Sequence, residues 1–442
     1  MPIGLENVAR ELSERPPMQW HGHVETIHSG YVTVTGLSAV ARVGETVKMQ
    51  FSNGSHTHGE IVAIESDRAI ITPEGSLNGL KRGDRAVHLG MVQIAPCETW
   101  IGRIIDPNGS PLDGRSLLNG SVTVRRDAPP PNASERRSLG PRLETGMALF
   151  DTILPIVRGQ RLGLFAGSGV GKTTLLGRFA TGIKADLIIV ALVGERGREL
   201  NEFVNRVLGP MAMKRTIVVA ATSDQSAVMR RRCALTAMAT AEHFRDQGRH
   251  VLLILDSLTR FAEAHREIAV ASGESVPARG FPASTAPQLT ALCERAGTGT
   301  DCQGDITAIF SVLVAGSDME EPIADLVRGI LDGHIILDRD IAERGRFPAV
   351  NVAKSVSRSL PEAADEIENE TINLARRNLT LFEQTEIMLR AGLYSPGSDP
   401  ETDAAIKSMP ELELFFGAPS LEGITGAFAR LKTILETGTT AV

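Results

Sequence analysis

The sequence predicts an α/β protein in which a parallel sheet covered by helices follows a small antiparallel β-barrel and precedes a helical region. Three observations predict this fold class. Short alternating segments separated by turn residues run from about residue 22 to 95, and continuous apolar strands separated by helical stretches begin near residue 150. Beyond about residue 360 the strand signals stop. These changes of pattern divide the chain into segments 1–20, 21–95, 96–360 and 361–442.

The composition favours a soluble globular protein that binds no nucleic acid. The chain has 442 residues, enough for about three domains, with 42% apolar and 22% charged residues. Its 46 basic and 53 acidic residues give a net charge of −7, so the basic footprint of a nucleic-acid binder is lacking. Aromatic residues make up only 4% of the chain, which leaves few platforms for base stacking.

The cysteines and the N-terminal stretch indicate a cytoplasmic location. No pair among the four cysteines has the close spacing of a zinc knuckle, so reduced thiols are expected at Cys97, Cys233, Cys293 and Cys302. The N-terminal stretch carries charges where a signal peptide needs its apolar segment. No run approaches the roughly 18 apolar residues of a spanning helix.

The first segment contains a short amphipathic pattern over residues 4–15, which Pro16 and Pro17 end. So short a helix is marginal alone. From the pattern, two interpretations stay open: a frayed tail, or a peptide that docks onto a partner.

The second segment reads as the small barrel. Its strands are predicted in "VETIHSGYVTVTG", "TVKMQF", "HGEIVAIESDRAIITP" and "RAVHLG". The stretch 102–114, "GRIIDPNGSPLDG", then reads as a hairpin around Asn108 and Gly109. The proline-rich stretch "RRDAPPPNASERRSLGPRLETG" reads as an irregular linker.

The third segment carries the parallel sheet, and the fourth is helical. Continuous apolar strands are predicted at 161–165, 186–193, 216–221, 251–255 and 306–314. Helices are predicted in "EIENETINLARRNLTLFEQTEIMLRAGLY", "DPETDAAIKSM" and "LEGITGAFARLKTILE".

The stretch "AGSGVGKTT" (166–174) lies between a strand and a helix and matches a P-loop. In such a loop, backbone N–H groups and the helix N-terminus hold anionic phosphates. Lys172 would reach the β- and γ-phosphates, and the Thr173 hydroxyl would ligate Mg²⁺. The strict pattern begins with glycine, whereas this chain has Ala166. The predicted phosphate-binding residues are Gly167, Ser168, Gly169, Val170, Gly171, Lys172, Thr173 and Thr174.

Asp256 ends the apolar stretch "RHVLLILD", the usual position of a second Mg²⁺ carboxylate in a P-loop protein. The alternative is that Asp256 merely caps the following helix. The next residue is Ser257, where many P-loop ATPases place a water-activating glutamate. Another residue must therefore supply this carboxylate, or the protein hydrolyses poorly.

Glu195 is the predicted source of that carboxylate. It follows the apolar strand 186–193, and ligands of open α/β sheets lie at the carboxyl ends of strands. A carboxylate there could orient and deprotonate the attacking water. The alternative is that Glu195 and Glu199 are favourable charges in the first turn of a helix.

Two arginines complete the candidates from spacing. Arg260 lies four residues beyond Asp256 and could reach the γ-phosphate, though a surface role fits the spacing nearly as well. Arg358 follows the last predicted strand by over forty residues and is not expected to fold back onto its own P-loop.

Taken in order, these motifs resemble those of the catalytic subunits of rotary ATP synthases and of their relatives, the type III protein-export ATPases. "GERGRE" resembles the family's catalytic-glutamate segment, and "PAVNVAKSVS" (348–357) fits its short serine signature. "PARGFPASTAPQLTALCERAG" and "EEPIADLVRGILDGHIILDRDIAERGRFPAVNVAKSVSR" resemble the export branch. The resemblance covers nearly the whole chain. "AGSGVGKTTLLG" and "LYSPGSDPETDAAI" are more similar to flagellar than to injectisome members.

The resemblance implies a role for each candidate residue toward ATP and Mg²⁺. Lys172 and Thr173 would bind phosphate and Mg²⁺, and Asp256 would be the magnesium carboxylate. The remaining implied roles are the catalytic carboxylate for Glu195 with Arg196 beside it, a γ-phosphate neighbour for Arg260, an adenine-stacking ring for Phe347, and an arginine finger for Arg358. In a homohexamer, that finger would serve the nucleotide of the adjacent subunit.

The resemblance also implies a fold and partners. The fold would be an N-terminal β-barrel, a RecA-like nucleotide domain and a C-terminal helical domain. The C-terminal helices would meet a central stalk protein, export chaperones and export substrates. The N-terminal segment would dock a regulatory, stator-like export protein, which favours the docking interpretation of residues 4–15. The protein would be cytoplasmic, peripherally associated with the export gate and apparatus at the inner membrane.

The predicted function is therefore a Mg²⁺-dependent, homohexameric ATPase of flagellar protein export. An injectisome-type secretion ATPase is one alternative. A ring-shaped RNA translocase of the transcription-terminator type is another, opposed by the net charge and the scarce aromatics. A non-catalytic subunit of a rotary ATPase is a third, opposed by the presence of Glu195.

Overall fold

The computed structural model describes residues 19–277, 280–314 and 319–439. The predicted N-terminal helix over residues 4–15 lies outside the described residues. Two compact units are present among the described residues: one comprises residues 19–93 together with 225–229 and the described part of 263–282, and the other comprises the remaining described residues. Within the described ranges, no helix is long and apolar enough to cross a membrane.

The first unit contains a closed six-stranded antiparallel barrel. Its strands follow one another around the barrel in the order β1-β2-β5-β4-β3-β6, and β6 pairs with β1. Alternate residues point inward and form an apolar core that includes Val34, Met49 and Ile61. Closure leaves no unpaired sheet edge. The strands are β1 (His21–Ile27), β2 (Val32–Thr35), β3 (Thr46–Gln50), β4 (His56–Ile64), β5 (Arg68–Pro73) and β6 (Arg85–Gly90).

The second unit is built on a nine-stranded sheet. Its five central strands are mutually parallel and lie in the order β8-β13-β11-β9-β10. Both faces are covered, which is why these strands read as continuous apolar runs. The strands are β7 (Ile104–Ile105), β8 (Arg161–Ala166), β9 (Leu187–Glu195), β10 (Thr216–Thr222), β11 (His250–Asp256), β12 (Gly297–Thr298), β13 (Asp305–Leu313), β14 (Gly333–Leu337) and β15 (Val356–Ser357).

The sheet extends beyond the five predicted strands. Strand β14 pairs in parallel with β8, and β15 pairs with β14 in antiparallel orientation. At the other edge, the predicted hairpin 102–114 differs from expectation, because its first arm, β7, joins the sheet in parallel with β10. The chain does turn at 106–109, but its two arms make only the isolated bridge between Ile105 and Pro111.

Helices flank the sheet and form the C-terminal region. The earlier ones are Ala148–Asp151, Lys172–Gly182, Gly197–Glu202, Gly209–Met213, Ala227–Asp246, Leu258–Ala271, Thr285–Glu294, Pro322–Ile330 and Arg339–Glu343, with a π-helical turn at Phe203–Leu208 and 3₁₀ turns at Glu98–Trp100 and Ala133–Glu135. The C-terminal helices are Glu366–Arg390, Pro400–Gly417 and Gly423–Thr439. Asp365 and Glu368 form a capping box at the start of the first of these.

The C-terminal helices pack on the core of the sheet unit. Leu412, Phe415 and Leu431 are buried in the same apolar cluster as Leu164 and Val190 from the sheet. The barrel, the helix-covered parallel sheet and the helical C-terminal region together confirm the predicted fold class.

Candidate functional site

The P-loop connects strand β8 to the helix Lys172–Gly182. Gly169 and Gly171 have positive φ values of 80° and 89°, a conformation that favours glycine. A side chain at Gly171 would also meet the ring of Phe347 at 3.4 Å. Ala166 departs from the strict motif without strain, since it is the last residue of β8 and pairs with Leu313 and Leu337. An extended residue there needs no glycine.

Four adjacent strands place one polar group each beside this loop. The Lys172 ammonium donates to Asp256 Oδ1 at 2.5 Å and lies 3.8 Å from Glu195 Oε1. Ser311 Oγ donates to the same Asp256 oxygen at 2.6 Å. The P-loop follows β8, Ser311 lies on β13, Asp256 ends β11 and Glu195 ends β9. Because these strands are neighbours, their carboxyl ends assemble a single site.

Asp256 is bound into this site and does not cap the following helix. Its side chain is buried and contacts Lys172 and Ser311. Ser257 takes the capping position, because its Oγ accepts a hydrogen bond from the Arg260 backbone N–H at 3.3 Å. Ser257 is fully buried. Many P-loop proteins carry a glutamate at this position. In this chain Ser257 occupies it and makes a structural contact instead.

Glu195 lies at the strand end and outside the following helix, which begins at Gly197. Burial raises the pKa of the Glu195 carboxyl, and a hydrogen bond with the Glu199 carboxyl and the charge of Asp256 raise it further. The ammonium of Lys172 opposes this rise. Glu195 therefore holds a proton more readily than an ordinary glutamate does.

The absence of a side chain at Gly194, directly before Glu195, makes space for two arginine side chains. Gly194 has a φ of 71°, and a side chain there would meet Arg230 at 3.3 Å and Arg260 at 3.5 Å. The structure thus places the Arg260 stem next to the strand end that carries Glu195. By contrast, the Arg196 side chain is 81% exposed and lies 4.0 Å from Glu199. It is not drawn into the contacts between Lys172 and the two carboxylates.

Phe347 stands beside the P-loop with half of its surface exposed. It lines a cavity of about 280 Å³ together with Gly171 and Thr174, and a second cavity of about 840 Å³ between the 341–347 segment and the C-terminal helices. A flat ring next to a phosphate-binding loop suits the stacking of a base.

Arg358 directly follows β15, so the expectation that it lies over forty residues beyond the last strand is wrong. Strands β14 and β15 were not predicted from the sequence, because they are only five and two residues long and show no periodic pattern. The Arg358 N–H donates to the Asp332 carbonyl at 3.0 Å, and the Asp332 carboxylate binds Arg161. Arg358 therefore lies at the amino end of β8, whereas the P-loop follows its carboxyl end.

Three residues near the site were not predicted from the sequence to belong to it. The sequence indicated only a favourable first-turn charge for Glu199, whereas its carboxyl group forms a hydrogen bond with that of Glu195. Ser311 contacts Asp256, and a hydroxyl inside the apolar run "ITAIFSVLV" was a signal that could have revealed it. Arg339 adds a third contact, since its guanidinium donates to the Ser168 carbonyl at 3.3 Å.

Two family profiles match the chain. The ATP synthase alpha/beta family, nucleotide-binding domain, matches residues 146–357, which contain the P-loop, Glu195, Asp256 and Phe347. The EscN ATPase C-terminal domain of type III secretion systems matches residues 365–422, in the helical C-terminal region.

Relatives match over most of their length. The chain is 43% identical to the flagellum-specific ATP synthase of Agrobacterium fabrum over 421 residues, covering 94% of this chain and 88% of that protein. It is 40% identical to the flagellum-specific ATP synthase of Caulobacter vibrioides, covering 95% and 97%. The assembled ATPase EscN of the enteropathogenic E. coli type III secretion system superposes with a TM-score of 0.87 at 34% identity, covering 94% and 100%. The chain therefore belongs to the ATP synthase alpha/beta family, within its branch of flagellum-specific and type III secretion ATPases.

Proposed function

We propose that this chain is a Mg²⁺-dependent ATP hydrolase that energises flagellar protein export. The observation that carries the proposal is the convergence of Lys172, Asp256 and Glu195 at the carboxyl ends of adjacent strands, beside a P-loop. The most similar relatives given above support the flagellar assignment, since they are flagellum-specific ATP synthases. A type III secretion ATPase of Xanthomonas euvesicatoria is 37% identical, which makes an injectisome role the second candidate.

The residues divide the reaction between them. The P-loop backbone and Lys172 bind the phosphates, and Phe347 stacks on the base. Glu195 orients the attacking water and accepts its proton, a step typically worth 10²–10⁴ in rate. The hydrogen bond to Glu199 then shares that proton between two carboxyl groups. Arg260 packs beside Gly194 and contacts the γ-phosphate. Arg196 is exposed near Glu199 and adds a positive charge at the edge of the site.

The donor set next to the P-loop fits Mg²⁺. Asp256 offers a buried carboxylate, and Thr173 offers a hydroxyl in the first turn of the helix Lys172–Gly182. Mg²⁺ is usually held by one or two carboxylates together with substrate phosphates. When bound there, the ion would neutralise charge on the β- and γ-phosphates.

Arg358 is an arginine finger that acts on the adjacent subunit of a homohexamer. Strand β8 separates it from its own P-loop, and the five steps between the six residues Arg161–Ala166 span about 16 Å at the usual rise of about 3.3 Å per residue. The Arg358 side chain is exposed and donates to the Arg328 carbonyl at 3.2 Å. Assembly is supported by EscN, which is described as an assembled ATPase.

The partners follow from the same branch of the family. EscN is also known in complex with its central stalk EscO, and the chain superposes on that structure with a TM-score of 0.85. We therefore include a central stalk among the partners, with export chaperones and substrates at the C-terminal helices. A regulatory, stator-like export protein docks on the N-terminal segment. The protein works in the cytoplasm at the membrane export gate.

Mixed rings test the catalytic roles directly. Glu195→Gln subunits and Arg358→Ala subunits should each be nearly inactive, since each lacks one half of every active site. Rings containing both should regain activity wherever an intact Glu195 meets an intact Arg358. Absence of recovery despite confirmed co-assembly would contradict separate donor and acceptor roles.

Two cheaper measurements separate the alternatives. RNA added to the ATPase assay should not stimulate turnover; stimulation would revive the RNA-translocase alternative. A strain that carries Glu195→Gln should lose motility and flagellin secretion, whereas unchanged secretion would detach the ATPase from flagellar export. ATP turnover by the wild-type chain would exclude the alternative of a non-catalytic rotary ATPase subunit.

A further inference from the structure

Gln160, the residue before β8, makes a buried junction that the proposed mechanism does not use. Its side-chain Nε2 donates to the Asp332 carbonyl and to Ser357 Oγ, both at 3.1 Å. Its Oε1 accepts from the Val157 N–H at 3.0 Å. Gln160 is fully buried, and these three hydrogen bonds use both N–H groups of its amide and provide one donor to its oxygen.

Ser357 completes this junction from the other side. Its hydroxyl donates to the Pro155 carbonyl at 2.6 Å while it accepts from Gln160, and Ser359 Oγ lies 2.8 Å away. Ser357 is therefore fixed to the segment that leads into β8. The next residue is Arg358, whose backbone N–H bonds the same Asp332 carbonyl that Gln160 contacts.

A second contact holds Asp332 in place. Its carboxylate accepts hydrogen bonds from the Arg161 N–H and from the Arg161 guanidinium, at 2.9 to 3.0 Å. Arg161 also pairs with Glu294 at 2.6 Å. Gln160 and Arg161, at the start of β8, thus hold Asp332, which accepts the Arg358 N–H, and Gln160 also holds Ser357, which precedes Arg358.

We propose that Gln160 and Ser357 are positioning residues that fix the Arg358 finger and couple it to the P-loop of its own subunit. This inference rests on the proposed action of Arg358 on the adjacent subunit. Strand β8 runs from this junction to Ala166, where the P-loop begins, and it is paired on both sides. A shift of β8 that accompanies events at one P-loop therefore moves the finger that serves the next site.

Two substitutions loosen the junction without touching Arg358. Ser357→Ala removes the hydroxyl, and Gln160→Met keeps the length of the side chain but removes its amide. We expect kcat to fall about 10-fold for the first and up to about 100-fold for the second, because displacement of a catalytic group by about 1 Å can cost that much. The affinity for a fluorescent ATP analogue should stay within about twofold of wild type, since an arginine finger stabilises the transition state and contributes little to ground-state binding.

Thr240→Val is the matched control. Thr240 is a buried hydroxyl that donates to the Thr236 carbonyl, within the helix Ala227–Asp246. Its loss should lower the melting temperature about as much as Ser357→Ala does and leave kcat unchanged. Equal losses of kcat in the two variants would mean that general destabilisation explains the effect.

Mixed rings distinguish a displaced finger from a damaged P-loop. Gln160→Met subunits should recover activity with Glu195→Gln subunits, which supply intact fingers, and should not recover with Arg358→Ala subunits. The reverse pattern would assign Gln160 to its own P-loop, and recovery in neither mixture would show misfolding; each result overturns the inference. If Arg358→Ala alone stays active, the proposed finger fails. If that variant is inactive while both junction variants match wild type, only the present inference fails.

Discussion

Lys172 contacts both carboxylates of the site, Asp256 at 2.5 Å and Glu195 at 3.8 Å. Its side chain is 13% exposed and that of Asp256 is 4% exposed, so solvent screens their attraction poorly. The lysine therefore stabilises the ionised Asp256 in the folded protein, in addition to its proposed role in binding phosphate. Loss of the ammonium would leave Asp256 buried without this counter-ion, while the Ser311 hydroxyl would still donate to its Oδ1.

Replacement of Lys172 tests this structural role. In the absence of added nucleotide, Lys172→Met should lower the free energy of unfolding by about 3 kcal/mol, the usual cost of leaving a buried charge without its counter-ion. Urea denaturation measures the change. Lys184→Met removes a lysine that is 84% exposed and pairs with Glu144, and it should change stability little. Adding Asp256→Asn to Lys172→Met should restore stability; equal stability of the two lysine variants would contradict the explanation.

Glu199 contributes to the pH dependence expected of Glu195 as the proposed general base. A general base must be deprotonated in the free enzyme, so kcat/KM falls as the pH drops through the pKa of Glu195. Burial is the main cause of the raised pKa, and the Glu199 carboxyl adds to it. Glu199→Gln removes that second contribution, so the acidic limb of the kcat/KM profile should move to lower pH. If the acidic limb of the kcat/KM profile does not move, Glu199 does not contribute to the pKa of the catalytic base.

At the scale of elements, the central strands and the P-loop are predictable because each is a local pattern. Runs of five or more apolar residues predict the strands β8, β9, β10, β11 and β13. Asp256 and Glu195 are found because each ends one of these strands. The edge strands β7, β14 and β15 depend on pairing with distant strands, which no local pattern encodes. The location of Arg358 was missed for this reason.

The side-chain contacts of the site were predictable only in part. Lys172 and Asp256 belong to motifs with known spacing, whereas the contact of Ser311 with Asp256 joins residues 55 positions apart. The bond between Glu195 and Glu199 depends on where β9 ends and the next helix begins, and sequence patterns locate such boundaries poorly.

Strand β11 begins with a buried titratable residue that gives the fold a pH dependence of its own. His250 bonds Thr307 Oγ1 at 2.8 Å, and burial lowers the pKa of its imidazole to about 4. The unfolded chain binds a proton near the ordinary histidine pKa of about 6.5. Between these values the unfolded state binds more protons, so the stability contributed by neutral His250 is complete above about pH 6.5 and is lost as the pH falls toward 4.

His250→Gln checks this dependence, because glutamine retains a hydrogen-bonding group and does not titrate. The wild type should lose about 3 kcal/mol more than the variant between pH 6.5 and 4, which corresponds to the difference between the two pKa values. Urea denaturation at several pH values measures both slopes. Thr307→Val serves as the control, since it removes the hydroxyl partner and keeps the titrating group. Parallel slopes for wild type and His250→Gln would rule out the imidazole as the source.

At the scale of the whole molecule, β8 connects two segments that act on different active sites in the proposed homohexamer. Its carboxyl end leads into the P-loop, and its amino end holds the segment that carries Arg358. Under this proposal, a single subunit contributes to one active site at each end of the same strand. Such a layout makes activity a property of the assembly, because neither half is complete alone.

The dependence of activity on protein concentration follows from this layout. An arginine finger supplied by a neighbour is typically worth 10³–10⁵ in kcat. Dilute subunits should therefore hydrolyse ATP at a small fraction of the assembled rate, and specific activity should rise steeply from nanomolar to micromolar protein, in step with the mass measured by light scattering. Arg358→Ala should assemble over the same concentration range and show no such rise, because its sites stay incomplete after association. Flat specific activity in the wild type across the range where its mass increases would place the complete active site within one subunit.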